Sequence, residues 1–222
     1  SSWKALLNKK PTIVVLLSWP GLPNYQGEFH ITRNLPACIN LVDKLIESGI
    51  QRLVVSGTCY EYGLQNGLMN EDNMTDPITC YAIAKDAFRR TIASKFASTS
   101  IDWCWARIFY VYGDGQNSKS LLPSLFKAID SGDEYFRMGS GLQIRDFIHV
   151  SDAAAQLLRL AISNKAKGVY NIGSGKPRSV LQFVEEAISN YGGTIKLDRG
   201  ALIDRIDEPL AFWASIKKLE SL

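Results

Sequence analysis

The segment ITCYAIAKDAF, residues 78–88, places a phenol and an ammonium four residues apart. On a helix this spacing puts Tyr81 and Lys85 on one face, where the amine would lower the pKa of the phenol and favour the phenolate. Such a phenolate can take a proton from a substrate hydroxyl while a hydride leaves the same carbon. The spacing alone is a weak motif, and a surface pair without function is the competing interpretation.

Two hydroxyl side chains earlier in the chain favour the catalytic interpretation. The apolar run QRLVVSGT carries Ser56 and Thr58 at the carboxyl end of a predicted strand. Ligands of open α/β sheets bind at that edge. We therefore expect Thr58 to converge with Tyr81 and Lys85, where its hydroxyl would hydrogen-bond the substrate oxygen and hold it in line.

The elements that must position these groups alternate along the chain. Continuous apolar runs at residues 12–19, 51–58 and 101–109 predict parallel strands buried on both faces. Apolar residues at helical spacing predict helices at 39–49 and 81–97 between them. Together they predict an α/β fold with a doubly wound parallel sheet, built from right-handed βαβ units.

The second half of the chain has shorter elements of mixed type. The predicted helices and strands lie at 120–132, 144–150, 151–163, 168–175 and 179–193. The helix at 151–163 is predicted to begin with a capping Ser or Asp and to bury Ala154, Leu157, Leu158 and Ala161.

Composition excludes several classes of protein. The chain is 46% hydrophobic and 21% charged, with a net charge of +3, which is ordinary for a globular protein with a sizeable core. It has neither a long basic run nor an apolar stretch of roughly 20 residues, so we expect no nucleic-acid partner and no membrane span. Four isolated cysteines and two histidines predict unpaired thiols in a reducing cytoplasm and no metal site.

Five ordered segments resemble the extended short-chain dehydrogenase/reductases that act on nucleotide sugars. They are RLVVSGTCYEYG, EDNMTDPITCYAIAK, RIFYVYGDGQN, GLQIRDFIHVSDAA and VYNIGSGKPRSV. The resemblance covers nearly the whole chain. It implies a partial dinucleotide-binding (Rossmann) domain at 1–115 and a smaller, mixed α/β nucleotide-sugar-binding region at 116–222.

The resemblance also implies roles for individual residues. Tyr81 would be the catalytic base and acid, Lys85 would lower its pKa and hold the nicotinamide ribose, and Thr58 would complete the triad. The cofactor, NAD or NADP, would also be lined by Leu17, Ser18, Asn34 and Phe109. For Asn34, a helix cap or turn residue is the alternative.

Two positions are implied to meet the diphosphate of a nucleotide-sugar substrate. Arg145 matches an arginine of that role, and its planar fork suits a buried phosphate. A salt bridge to the adjacent Asp146 is the alternative. Tyr110 replaces the asparagine usual at its position, which alters the diphosphate pocket.

The chain departs from the family pattern in two further ways. No Gly-rich turn follows the first strand, and the one at 172–177 matches a substrate-region loop, so the first βαβαβ stretch is expected to be missing. We expect a segment before residue 1, or another chain, to cover the apolar sheet edge. Cys59 and Tyr60 stand where sugar dehydratases carry Asp-Glu, which disfavours dehydration. The adjacent Glu71 and Asp72 are expected to be solvated.

The sequence therefore predicts an NAD(P)-dependent epimerase or 4-keto reductase of a nucleotide-linked sugar. The alternatives are a non-catalytic remnant that binds a nucleotide sugar but no dinucleotide, and a protein that only mediates structural interactions. The resemblance further implies a homodimer through the helices within 31–49 and 81–97, whose alanines could instead pack on the sheet.

Overall fold

A four-stranded parallel sheet lies at the centre of the fold. The computed structural model describes residues 8–204 and 208–222. In chain order the strands are β1 (Ile13–Leu16), β2 (Arg52–Thr58), β3 (Gly67–Met69), β4 (Asp102–Ile108), β5 (Tyr110–Tyr112), β6 (Tyr135–Met138), β7 (Ile144–His149), β8 (Gly168–Ile172), β9 (Pro177–Ser179), β10 (Lys196–Arg199) and β11 (Phe212–Ala214). The central sheet has the order β1-β2-β4-β8.

Helices cover both faces of this sheet. They are α1 (Leu35–Glu47), α2 (Cys80–Phe96), α3 (Leu121–Asp130), α4 (Val150–Ile162), α5 (Val180–Tyr191) and α6 (Lys217–Glu220), with a π-helical turn at His30–Asn34 and a 3-10 turn at Cys59–Tyr62. Side chains of a strand alternate between faces, so Leu53 and Val55 pack with α1 and α2, whereas Val54 packs with α4 and α6. The predicted doubly wound arrangement is confirmed. None of the helices in the described ranges has the length and apolar character of a bilayer crossing.

The prediction that the first strand is buried on both faces is wrong. β1 is the outermost strand, and no strand pairs with its outer edge within residues 8–204 and 208–222. Ile13 is 44% exposed and Val15 is 40% exposed, although α4 contacts the strand, because an edge strand has a neighbouring strand on one side alone. The apolar run predicted a buried strand correctly for β2 and β4, which have neighbours on both sides.

The remaining strands join distant parts of the chain. β5, β7 and β9 form one small sheet, β6 pairs with β10, and β3 pairs with β11. Because β8 completes the central sheet and β11 returns to β3, segments on both sides of residue 115 fold together. The division at residue 115 into a cofactor-binding and a substrate-binding part stays a prediction.

Two details of α4 differ from the prediction. Its cap is His149, whose ring Nδ1 accepts a hydrogen bond from the Ser151 amide, so neither predicted cap is used. Leu157 and Ala161 are buried, but Ala154 is exposed and Leu158 is 59% exposed. The helix is rotated so that the face bearing Leu160 meets the sheet instead.

The helices implied to form a homodimer pack against each other within the chain. Ala82 and Ala84 are fully buried inside the protein, so they are not available to a partner. Ala87 and Ala93 are half-buried. The homodimer stays a prediction.

A buried carboxylate joins three of these segments. Asp146 on β7 is fully buried and accepts hydrogen bonds from the amides of Ser174, Gly175 and Ala214, at 2.7, 2.9 and 3.1 Å. These donors belong to the turn after β8 and to β11. Asp146 therefore holds the Gly-rich turn and the end of the chain against β7.

We expect Asp146→Asn to lower the free energy of unfolding by about 3 kcal/mol, because the new amide group would face buried N–H donors. Chemical denaturation measures the change. Asp133→Asn, at an exposed position, is the matched control and should change stability by less than about 0.5 kcal/mol. Equal effects of the two substitutions would contradict the structural role of Asp146.

Candidate active site

A cleft of about 1050 Å³ opens at the carboxyl edge of the central sheet. Thr58, at the end of β2, lines it together with Tyr81 and Lys85 from the first turns of α2. The Thr79 hydroxyl caps α2 by accepting a hydrogen bond from the Ala82 amide at 3.1 Å. The cap fixes where the helix begins, and so presents Tyr81 toward the end of β2.

Thr58 lies next to Tyr81 in this cleft. Burial raises the pKa of the Tyr81 phenol, and the neighbouring Thr58 hydroxyl lowers it by less, so the pKa lies above its ordinary value. The net shift is opposite to the sequence-based expectation. The phenol is 7% exposed, and the desolvation of its charged form outweighs the favourable contacts.

Lys85 is buried beside the phenol, with its ammonium held by two other groups. Its Nζ donates a hydrogen bond to the Ser56 carbonyl at 2.7 Å and lies 4.2 Å from the centre of the Trp19 ring. The distance from Nζ to the centre of the Tyr81 ring is 6.0 Å. Burial lowers the pKa of Lys85 to about 8. Tyr81 and Lys85 lie on the same face of α2 as predicted, but the Lys85 ammonium packs on the Trp19 indole and not on the phenol.

Only some of the residues implied to line a cofactor lie on the cleft. Leu17 and Phe109 line the cleft. Ser18 is exposed and lies outside this lining. Asn34 is buried, and its side-chain amide donates to the Pro20 carbonyl at 2.9 Å instead of capping α1. It supports the loop that enters the cleft.

The residues implied to meet the diphosphate are also in the cleft. Arg145 and Tyr110 both line it, with the guanidinium carbon 5.4 Å from the centre of the Tyr110 ring. The salt-bridge alternative for Arg145 named the wrong partner. Arg145 Nη2 is 3.0 Å from a carboxylate oxygen of Glu208, whereas Asp146 is occupied by backbone amides.

The most buried charge next to the site was not singled out from the sequence. Glu61 is fully buried, and its Oε1 accepts hydrogen bonds from the Thr58 amide at 2.9 Å and the Trp105 indole at 2.8 Å. Its Oε2 accepts from Arg107 Nε at 2.9 Å. The spacing Thr-x-x-Glu in TCYE is a capping-box signature, and that signal could have found it.

Two expectations about acidic residues have different outcomes. Glu71 is not solvated as expected, because its carboxylate accepts a hydrogen bond from the Asn171 amide at 2.9 Å, whereas Asp72 is exposed.

Cys59 and Tyr60 line the cleft where a carboxylate pair would be needed for dehydration. All four cysteines are unpaired, as predicted.

Lys85→Met should stabilise the protein at pH 7, by up to about 3 kcal/mol, because it removes the cost of burying an ammonium. The gain should disappear between pH 8 and the ordinary lysine pKa. Over that range the folded protein loses the Lys85 proton while the unfolded chain keeps it, so the wild type gains stability with rising pH. Denaturation curves across this pH range test it, with exposed Lys165→Met as control.

Comparisons with known proteins identify the family to which this chain belongs. The model of the NAD dependent epimerase/dehydratase family matches residues 1–173. A dTDP-6-deoxy-L-talose 4-dehydrogenase (NAD(+)) from Aggregatibacter actinomycetemcomitans is 30% identical over 90% of this chain and 73% of its own length. A UDP-glucose 4-epimerase from Corynebacterium glutamicum is 30% identical, and the chain spans about half of it, 51%.

A solved structure gives the same result for the fold. MoeE5 in complex with UDP-glucose and NAD superimposes with a TM-score of 0.80 at 27% identity, over 98% of this chain and 75% of that one. MoeE5 is also solved in complex with UDP-glucuronic acid and NAD. The family match covers most of the chain and the fold agrees, so this protein belongs to the NAD-dependent epimerase/dehydratase family.

Proposed function

We propose that this protein catalyses NAD(P)-dependent oxidation or reduction of a sugar carried on a nucleoside diphosphate, as an epimerase or a 4-keto reductase. The observation that carries the proposal is that Thr58, Tyr81 and Lys85 line one cleft at the carboxyl edge of the sheet. The talose 4-dehydrogenase and the glucose 4-epimerase among the relatives both act at a sugar C4, as their names state.

In this proposal Tyr81 moves the proton. Burial holds the phenol protonated at neutral pH, which is the form needed to protonate the oxygen of a reduced keto sugar. The Thr58 hydroxyl forms a hydrogen bond with the same sugar oxygen and fixes the position of that oxygen next to the phenol. In the opposite direction Tyr81 must first lose its proton, which the raised pKa makes more costly.

Several cleft residues fit the nicotinamide end of a dinucleotide. Leu17 and Phe109 offer apolar surface on the same lining as Tyr81, and Lys85 offers an ammonium for a ribose hydroxyl. When bound, the dinucleotide supplies or accepts the hydride. Because the Lys85 ammonium contacts the Trp19 ring, Lys85 would have to leave that ring, or share it, to reach a ribose.

Arg145 can hold the substrate diphosphate while it remains close to Glu208. A guanidinium has five N–H donors, and Arg145 uses Nη1 for the carbonyls of Ile144 and Leu210 and Nη2 for Glu208. A diphosphate would bind the remaining donors or replace the carboxylate, because phosphate accepts bidentate hydrogen bonds from arginine.

Tyr81→Phe should reduce turnover at least about 100-fold, because it removes the group that transfers the proton. Binding of the nucleotide sugar should change little, since the ring remains. Turnover is measured as the change in dinucleotide absorbance with dTDP-6-deoxy-L-talose, and as sugar interconversion with UDP-glucose. Tyr135→Phe is the matched control and should behave as the wild type, because Tyr135 is 51% exposed and lies outside the cleft lining.

Calorimetric titration separates this proposal from the binding remnant. The enzyme should bind NAD(H) or NADP(H) as well as a nucleotide sugar. Binding of the sugar nucleotide with no heat from any of the four dinucleotide forms would contradict the enzymatic proposal and support the remnant.

A further inference from the structure

Three tyrosines form a continuous aromatic surface along the cleft. The tyrosine row consists of Tyr25, Tyr60 and Tyr110, all of which line the cleft. The ring centres are 5.2 Å apart between Tyr25 and Tyr60 and 6.1 Å apart between Tyr60 and Tyr110, with edge-to-face geometry in both pairs. Three adjoining rings give the cleft one wall that is largely apolar.

The two ends of the tyrosine row meet the two ends of the proposed site. Tyr25 packs 5.7 Å from the Tyr81 ring, and its carbonyl accepts a hydrogen bond from the Tyr81 amide at 2.9 Å. At the other end the Arg145 guanidinium lies beside Tyr110. If the reacting carbon lies at Tyr81 and the diphosphate at Arg145, the hexose between them lies along the row. The C–H bonds of a sugar ring suit the electron-rich faces of aromatic side chains.

The ion pair between Glu208 and Arg145 lies next to the row. Glu208 lies 3.4 Å from the Tyr60 hydroxyl, which donates to it, and 3.0 Å from Arg145. Burial and the Glu208 carboxylate both raise the pKa of Tyr60 and of Tyr110. The same two causes raise the pKa of Cys59, whereas the Arg145 guanidinium lowers the pKa values of Cys59 and Tyr110. If a substrate diphosphate occupies Arg145, that guanidinium no longer offsets Glu208, so a second negative group beside the row is opposed by the Glu208 carboxylate and by burial.

We propose that the tyrosine row and Glu208 select an uncharged hexose and reject hexuronic acids. The inference rests on the function proposed above and narrows its substrate class. A carboxylate at C5 of the sugar would be desolvated against the aromatic rings and repelled by Glu208. A hydroxymethyl or methyl group at the same position meets neither penalty.

Membership of the family does not decide between an uncharged hexose and a hexuronic acid. MoeE5 is solved with UDP-glucose and also with UDP-glucuronic acid, so relatives of this fold hold sugars of either charge. Cys59, Tyr60 and Tyr110 are the positions at which the present sequence departs from the family pattern. All three residues lie on one wall of the cleft, where they would contact the substrate and could change which sugar binds.

The test compares two ligands that differ only at C6. Calorimetry on the purified protein should give an affinity for UDP-glucose roughly 10- to 100-fold higher than for UDP-glucuronic acid, from the cost of an unsatisfied buried charge. Titration with dTDP-glucose repeats the measurement on the other nucleotide. Binding, unlike turnover, does not depend on which step of catalysis is slow.

A charge-removing variant identifies the source of the preference. Glu208→Gln should reduce the ratio of the two affinities at least threefold or so, because the repulsive charge is lost while the shape is kept. Using the ratio cancels any change in diphosphate binding, which affects both ligands. Glu186→Gln is the matched control, since Glu186 also pairs with an arginine, Arg178, but at an exposed position outside the cleft.

Each result decides a separate point. Equal or tighter binding of UDP-glucuronic acid would overturn the inference and leave the proposed function standing. An unchanged ratio in Glu208→Gln would also overturn it, because the discrimination would then come from elsewhere. If neither UDP-glucose, UDP-glucuronic acid nor dTDP-glucose binds, the proposed function fails and the inference fails with it.

Discussion

The buried Glu61 carboxylate is the interaction on which the geometry of the cleft depends. It receives hydrogen bonds from the Thr58 amide, the Trp105 indole and Arg107, which belong to two neighbouring strands. A charge without solvent persists only when it is paired and fully hydrogen-bonded, and Glu61 meets both conditions. Because one of its donors is the backbone of Thr58, the position of that residue is set by the core of the sheet rather than by a surface loop. A proton-transfer site on a rigid strand end keeps its geometry when ligands come and go.

Burial has opposite effects on the two titratable side chains of α2. It raises the pKa of the Tyr81 phenol and lowers that of the Lys85 ammonium, so both side chains move toward their uncharged forms. The sequence suggests a simple electrostatic pair in which the amine ionises the phenol. In the structure the Lys85 ammonium instead packs on the Trp19 indole ring, and the Tyr81 phenol lies beside the Thr58 hydroxyl. Desolvation therefore dominates over the Coulomb attraction in this cleft, and a bound ligand that brought charge or water would change both pKa values together.

Local patterns predicted the elements well and their surroundings less well. The strand at Arg52–Thr58 and the helix at Cys80–Phe96 follow from an apolar run and from 3.6-residue spacing, which are properties of short segments. The exposure of β1 and the rotation of α4 depend on which elements lie next to them, and no short segment carries that information. The same limit explains the partners of Arg145 and Lys85. The adjacent Asp146 was the nearest acid in sequence, but the fold brings Glu208 from 63 residues away.

The order in which strands enter the sheets has a consequence for synthesis. β8, at Gly168–Ile172, completes the central sheet against β4, and β11, at Phe212–Ala214, pairs with β3 near the beginning of the chain. Contacts between such distant segments form slowly, because a long loop must close before any of them is gained. Before β8 has been made, one edge of β4 is unpaired, and the Tyr62 hydroxyl lacks its hydrogen-bond acceptor, the side chain of Asn171. Until residues 168–172 and 212–214 have been made, the emerging polypeptide exposes unpaired strand edges, which are prone to aggregation.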